Sequence, residues 1–147
     1  GGYTENADEY LEVVDRLRRK FDTAAELVPE PVTETSNKSS CAIVTLGSCE
    51  GAVQETRSKL AAEGVQTDYM RIRAFPFSKS VIEFLAGYSQ IFVVEQNRDA
   101  QLRSLLQTEA GVSADKLIPI LCYGGMPISC EDIYEPLLEK ITQGKAA

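Results

Sequence analysis

From Cys41 onward, short β-type runs alternate with helical patterns of about ten residues, and this alternation restricts the fold more than any other feature of the chain. The runs "CAIVTL" (41–46), "VQTDYMRIR" (65–73), "QIFVVE" (90–95) and "KLIPILCY" (116–123) are rich in β-branched and aromatic residues, as strands are. Between them, Gly51 to Ala62 reads as a helix with Val53, Leu60 and Ala61 facing inward. Ser78 caps a second helix running to Ala86, and Asp99 to Ala110 forms a third. Gly64, Gly87 and Gly111 follow these three segments, where a residue able to leave the helical conformation is favoured. Ser129, with Asp132 three residues later, starts a last helix that carries Ile133, Leu137, Leu138 and Ile141, and Pro136 is expected to kink or shorten it. Strands joined through helices pair in parallel by right-handed crossovers, so the pattern predicts a three-layer α/β/α sandwich on a mostly parallel sheet. The uniformly apolar runs 41–46 and 90–95 belong at its centre, whereas Pro119 suits an edge. Ligands of such sheets gather at the carboxyl ends of the strands, here 47–51, 73–78, 95–100 and 123–129.

The residues before Cys41 follow another rule. Tyr10, Val14, Leu17, Phe21, Ala24 and Val28 recur at intervals of three and four, which puts them on one stripe of a helix. Asn6 with Glu9 forms a capping box at its start, and Pro29 ends it. The stretch "PEPVTETSNKSS" (29–40) has no periodicity and reads as a linker. The expected organisation is a helical arm (1–28), a linker (29–40) and an α/β domain (41–147). Detached from its native neighbour, the arm would be poorly anchored or would recruit a second copy into a homodimer. Gly1-Gly2, without methionine, reads as the start of a piece of a longer soluble polypeptide.

Composition removes several classes of function. A chain of 147 residues can build one core without a disulfide or metal staple. The net charge of −7, with no stripe of Lys and Arg, argues against nucleic acid and anionic membranes as partners. No apolar run approaches the roughly 20 residues of a membrane span. The sequence contains no histidine, so mixed Cys/His zinc sites and His-activated nucleophiles are excluded. Cys41 and Cys122 sit in apolar runs and no C-x-x-C occurs, so the four cysteines read as reduced thiols and the protein as cytoplasmic.

Four features at the strand ends are candidates for chemistry. "LGSCEGA" (46–52) lies where a nucleotide loop would, but its glycines are spaced G-x-x-x-G rather than G-x-G-x-x-G. It also lacks a Walker lysine and a distant acid, and reads as a plain strand-to-helix turn with Ser48 or Glu50 near the cap. Cys49, close to a helix start, could carry a lowered pKa, yet an ordinary thiol is the simpler reading. Glu95-Gln96-Asn97 could accept protons or bind a cation, but with no second carboxylate it better suits accepting N–H bonds from the next helix. Arg71 and Arg73 point to one side of their strand and could meet an acidic ligand or form a surface pair, while Gly124-Gly125 permits a tight turn.

Several of these motifs resemble the carboxy-terminal domain of the α subunit of 2-oxoacid:ferredoxin oxidoreductases. That family has Gly-Ser after its first strand, Pro-Phe-Pro before its second helix, and Glu-x-Asn followed by Gly-Gln-Leu after its third strand. The matching residues are Gly47-Ser48, Pro76-Phe77-Ser78, and Glu95-Gln96-Asn97 with Ala100-Gln101-Leu102. The turn Gly125-Met126-Pro127 and the arm with its proline-rich connector fit as well, and "NRDAQLR" with "LCYGGMPIS" is more similar to the 2-oxoglutarate type than to the pyruvate type. Two positions depart from the pattern, Ala100 where glycine is common and Ser78 where a second proline stands.

The resemblance implies a transketolase C-terminal-like sandwich of about five strands, one of them antiparallel. Only four strands are counted above, so the fifth is expected in the linker or near residue 111. It also implies a holoenzyme that oxidatively decarboxylates a 2-oxoacid on thiamine diphosphate with magnesium, passes electrons through an iron–sulfur cluster to ferredoxin, and delivers the acyl group to coenzyme A. In that family the cofactors are held by other α-subunit domains or by the β subunit. This chain is therefore expected to bind none of them, to have no catalytic residue, and to act as a structural and interface domain. Gly47, Ser48, Glu95, Asn97 and Gln101 are its candidate contact residues. The equivalent domain of another thiamine enzyme, such as transketolase or a 2-oxoacid dehydrogenase β subunit, and a stand-alone module for coenzyme A or a nucleotide, are the alternatives.

Overall fold

The computed structural model describes residues 2–36 and 39–145; Gly1, Asn37, Lys38, Ala146 and Ala147 lie outside the described residues, two of them in the expected linker. Five strands, β1 (Val32–Glu34), β2 (Cys41–Leu46), β3 (Asp68–Ile72), β4 (Gln90–Glu95) and β5 (Leu117–Leu121), form one sheet in the order β1-β3-β2-β4-β5. The helices are α1 (Ala7–Leu27), α2 (Glu50–Ala62), α3 (Lys79–Ala86), α4 (Gln101–Thr108) and α5 (Cys130–Lys145). The four strands read from the sequence pair in parallel, with β2 and β4 at the centre and almost wholly buried. β5 is an edge strand, which is where Pro119, with no N–H to donate, is tolerated.

The fifth strand is β1, and it lies in the stretch expected to be a linker. Three residues are too few for a period to show. Val32, Thr33 and Glu34 pair antiparallel with Arg71, Met70 and Tyr69. Side chains hold this short strand in place. Arg57 reaches Glu34 at 2.5 Å, and the buried Asp68 accepts from the Ser36 N–H at 2.7 Å and the Ser36 hydroxyl at 2.9 Å. Just upstream, the Glu30 carboxylate accepts from the hydroxyls of Ser78 and Ser80. Ser78 is the N-cap residue of α3, as expected, but its hydroxyl is turned to Glu30 and Ser80 instead of a helix N–H.

Alternation along the strands feeds two cores. Cys41, Ile43, Tyr69, Phe92 and Val94 face α2 and α5, where they meet Val53, Leu60, Ile133 and Leu137. Val44, Met70, Ile91 and Val93 face α3 and α4 and meet Val81, Leu85, Leu102 and Leu106. These are the two outer layers expected of a doubly covered sheet. Across α2 and α5 the buried Thr56 hydroxyl lies 2.8 Å from the Ala52 carbonyl oxygen and 3.3 Å from that of Cys130. α5 starts with a reciprocal cap, Ser129 N–H to Asp132 and Asp132 N–H to the Ser129 hydroxyl, and continues through Pro136. Among the described residues no helix is long and apolar enough to cross a membrane.

α1 runs the length its apolar stripe predicts, and no residue in it is buried. At its start Asn6 accepts from the Asp8 N–H at 3.0 Å, while Glu9 accepts from Thr4 rather than completing a capping box with Asn6. Its ring contact with the sandwich is edge-on, Phe21 against Phe75 with centroids 5.6 Å apart.

Candidate functional site

The chain moves from β2 to β3 on one side and then crosses back to β4 on the other, so the strand order reverses between β2 and β4. In open α/β sheets, a crevice at such a reversal is where ligands bind. Two loops meet there. The first follows β2: Gly47 takes a left-handed φ of 62°, and Gly47–Cys49 make one 3-10 turn before α2. No atom lies within 4 Å of where a Gly47 side chain would begin, so the turn itself, rather than close packing, favours glycine. The second loop follows β4 and contains Glu95, Asn97, Ala100 and Gln101. The exposed Gln96 joins the loops by donating to the Ser48 hydroxyl at 3.0 Å, with the buried Cys49 sulfur 3.6 Å away.

Glu95 is buried and works as a helix cap set six residues before Gln101, the first residue of the helix it caps. Its two oxygens accept from the Leu102 N–H at 2.7 Å and the Arg103 N–H at 3.2 Å, and from the Asn97 side-chain amide at 2.5 Å. Asn97 turns its own oxygen to the N–H groups of Asp99 at 3.1 Å and Gln101 at 3.2 Å. A carboxylate at a helix start satisfies N–H groups that no helical carbonyl can reach, and it complements the positive end of the helix dipole. The Glu-x-Asn…Gln-Leu motif is thus a connected unit that starts α4, in line with the N–H-accepting role read from the sequence. Gln101 joins it through its backbone N–H, while its side chain is exposed.

Ala100 explains why glycine suits that position. It adopts φ 51° and ψ 49°, a left-handed conformation in which an alanine side chain is strained by about 1–2 kcal/mol. Glycine takes this conformation without strain, and no ligand or close backbone is needed to account for it. Ala100→Gly is therefore expected to raise stability by up to about 1 kcal/mol, once the greater unfolded-state freedom of glycine is subtracted. A urea midpoint that is unchanged or lower would refute the strain at this residue.

The start of α2 does not suit a phosphate. Glu50 is its first residue and is ion-paired with Arg71, so an anion placed there would meet a carboxylate. Arg71 and Arg73 both line a cleft of about 510 Å³ with Leu46, Ile72, Phe75 and Leu105 at the ends of β2 and β3. Gly47 reaches this cleft, whereas Ser48, Glu95, Asn97 and Gln101 do not line it. Arg73 also donates to the Glu30 carbonyl oxygen at 3.5 Å. A second hollow of about 590 Å³ lies beside the loop after β5, with Cys122, Tyr123, Met126 and Asp132 among its walls. Burial pushes the Cys122 thiol up, away from the thiolate that reactive cysteines present, and Asp132 adds to the effect. No group of three or more His, Cys, Asp or Glu with the geometry to hold a metal ion occurs among the described residues. The start of α2 thus does not suit a diphosphate, and the described residues offer no ligand set for magnesium or an iron–sulfur cluster.

The roles of Gln96 and of the Leu102 and Arg103 N–H groups could not be assigned from sequence spacing, because each depends on a loop or helix brought close by the fold. One signal was present: an acid leaving a strand a few residues before a helix is well placed to cap it.

No family model matches the chain. It is 28% identical over 150 aligned residues to a 2-oxoacid:ferredoxin oxidoreductase subunit alpha of Saccharolobus solfataricus, an alignment that covers 98% of this chain and 23% of that protein. Among solved structures it is similar to a 2-oxoglutarate:ferredoxin oxidoreductase from Magnetococcus marinus with 2-oxoglutarate, coenzyme A and succinyl-CoA bound. The TM-score is 0.81 at 24% identity, over 96% of this chain and 25% of that one. A weaker likeness, TM-score 0.53 at 23% identity, is to the alpha chain of a probable 2-oxoacid ferredoxin oxidoreductase from Thermoplasma acidophilum, over 77% of this chain and 97% of that one. The chain spans about a quarter of the length of the first two relatives. By sequence over almost its whole length, and by a shared mixed α/β fold, it is akin to a segment of the α subunits of 2-oxoacid:ferredoxin oxidoreductases, as its strand-end motifs indicate.

Proposed function

We propose that this chain is a structural and interface domain of a 2-oxoacid:ferredoxin oxidoreductase α subunit and performs no chemical step itself. The holoenzyme would be a cytoplasmic, thiamine-diphosphate-dependent enzyme that oxidatively decarboxylates a 2-oxoacid, with 2-oxoglutarate the favoured substrate. Its products would be an acyl-CoA and reduced ferredoxin. Thiamine diphosphate, magnesium, the iron–sulfur cluster and coenzyme A would be held by other α-subunit domains or by the β subunit. Residues 1–28 would act as an arm, 29–40 as a connector anchored by β1, and 41–147 as the sandwich.

The observation that carries this reading is the engagement of the strand-end motif. Both oxygens of Glu95 and the side-chain amide of Asn97 are used to start α4, and Ser48 is tied to Gln96. Glu95 and Asn97, the residues that most resemble a site, are spent on the loops themselves. Gly47, Ser48 and Gln101 are exposed and remain the candidates for touching a neighbouring domain. Their role would be contact rather than catalysis.

Calorimetric titration of the chain with coenzyme A, ATP and thiamine diphosphate in turn is expected to give no binding heat. Micromolar binding of any of the three would replace this reading with that of a stand-alone ligand-binding module. The sequence flanking the chain in its gene is expected to encode a thiamine-binding domain, and a different flanking domain would overturn the family assignment of the holoenzyme.

A further inference from the structure

The arm carries more information than its exposure alone suggests. Ala7, Tyr10, Val14, Leu17, Phe21, Ala24 and Val28 are spaced alternately by three and four residues, which is the a/d seam of a coiled coil. The end of this seam is spoken for: Ala24 and Val28 are half-buried and Phe21 touches Phe75. The rest is not, with Tyr10 63% and Leu17 55% exposed and Val14 at 41%. A helix with no buried face is marginal in water, so the segment from Ala7 to Phe21 calls for a partner along about 22 Å of helix.

Its charge distribution indicates which partner. Asp8, Glu9, Glu12 and Asp15 occupy the first half of α1, and Arg16, Arg18, Arg19 and Lys20 follow directly; Asp22, which lies 3.7 Å from Arg18, and Glu26 come after them and leave the second half net positive. A second α1 lying antiparallel would set its acidic half beside this basic half, and the reverse, while the two helix dipoles oppose favourably. A parallel copy would stack like charges on like. These groups lie mostly on the flanks and back of the seam, so they act through their field on orientation rather than as direct ion pairs. The seam itself supplies the contact.

We propose that α1 is a self-association surface, and that its occupant is the α1 helix of a second copy of this chain. The two helices run antiparallel about a two-fold axis at Val14, the midpoint of the exposed seam. In that register Leu17 of each copy is level with Leu11 of the other, and the small Ala7 is level with Phe21, leaving room for the Phe21–Phe75 contact. The interface is isologous, with each copy offering the same stripe. It is independent of the cofactor assignment above.

Sedimentation equilibrium at the highest soluble concentration is expected to return a dimer. Leu17→Glu should return a monomer that still unfolds cooperatively, since α1 has no buried residue, and that loses only the concentration-dependent part of the parent's thermal stability, whereas Arg19→Ala on the far side of the helix should leave the dimer in place. In a Cys122→Ser background, Val14→Cys should form a disulfide-linked dimer on mild oxidation and Ala7→Cys should not, because only a residue at the axis meets its own copy. A monomeric parent chain, or a dimer indifferent to Leu17→Glu, would overturn the proposal. Cross-linking at Ala7→Cys as readily as at Val14→Cys would mean a parallel pair and would overturn it equally.

Discussion

Glu95→Ala is expected to lower the unfolding free energy by about 3 kcal/mol, the largest loss for any polar residue of the strand-end loops. The substitution removes the acceptors of the Leu102 and Arg103 N–H groups and of the Asn97 amide at once. The Leu102 N–H lies in a buried setting and has no helical carbonyl to turn to, so its desolvation is left uncompensated. Glu95→Gln keeps one carbonyl oxygen of the same reach but loses the charge that complements the start of α4, and about half the effect is expected. Urea unfolding gives the free energies, and amide exchange at Leu102 and Arg103 gives the local consequence, which should be faster exchange through the first turn of α4. A loss below about 1 kcal/mol for Glu95→Ala would mean that water replaces the carboxylate, and that the motif is not the cap described above. Because this motif is also the most specific part of the family resemblance, the experiment separates a structural reason for it from a ligand-binding one.

The second large effect concerns the way β1 is held. Asp68→Ala is expected to cost about 2 kcal/mol and to loosen β1 at the sheet edge, since the bonds that Ser36 and Tyr88 donate to this carboxylate are lost. The Tyr88 hydroxyl donates to Asp68 at 2.8 Å, and burial first, then this carboxylate, push the phenol up to about 12. Burial on its own would raise the Asp68 carboxyl. The Ser36 N–H, the Tyr88 hydroxyl and the Ser36 hydroxyl outweigh it, and the group titrates below its ordinary value of 3.8. A carboxyl with a folded pKa below its unfolded one contributes its full stability above the unfolded value. That contribution fades as the pH falls below about 4 and through the folded pKa. The stability difference between the parent chain and Asp68→Asn should therefore be constant from neutral pH down to about 4 and shrink at lower pH. Taking the difference cancels the other carboxylates. A gap that stays constant to the lowest pH at which the chain folds would rule out Asp68 as the titrating anchor.

How far the fold could be read in advance varied with the length of the signal. Runs of five or six residues, such as 41–46 and 90–95, announced central strands because burial on both faces demands apolar side chains throughout. β1 carried no such mark: three residues among prolines, serines and threonines become a strand only because β3 presents an open edge. The helix starts show the same division. Ser129 and Asp132 cap α5 reciprocally across three residues, a distance that spacing reveals. Ser78 had equally good credentials for α3, yet its hydroxyl is drawn to Glu30, 48 residues earlier in the chain.

The nucleotide-like turn after β2 marks the limit of local reading. Its missing third glycine and lysine already spoke against a phosphate, and the fold added the reason: Glu50, held by Arg71 of the neighbouring strand, lies at the helix start where an anion would sit. Periodicity and turn residues were enough for the layers, the central strands, the edge position of β5 and the amphipathic arm, since each follows from side chains within a few positions of one another. The link from Gln96 to Ser48, the burial of Asp68 under Ser36 and Tyr88, and the strained backbone of Ala100 depended on the assembled sandwich. Hydrogen-bond partners and backbone conformation at these points are set by groups that only folding brings within 3 Å or so of each other.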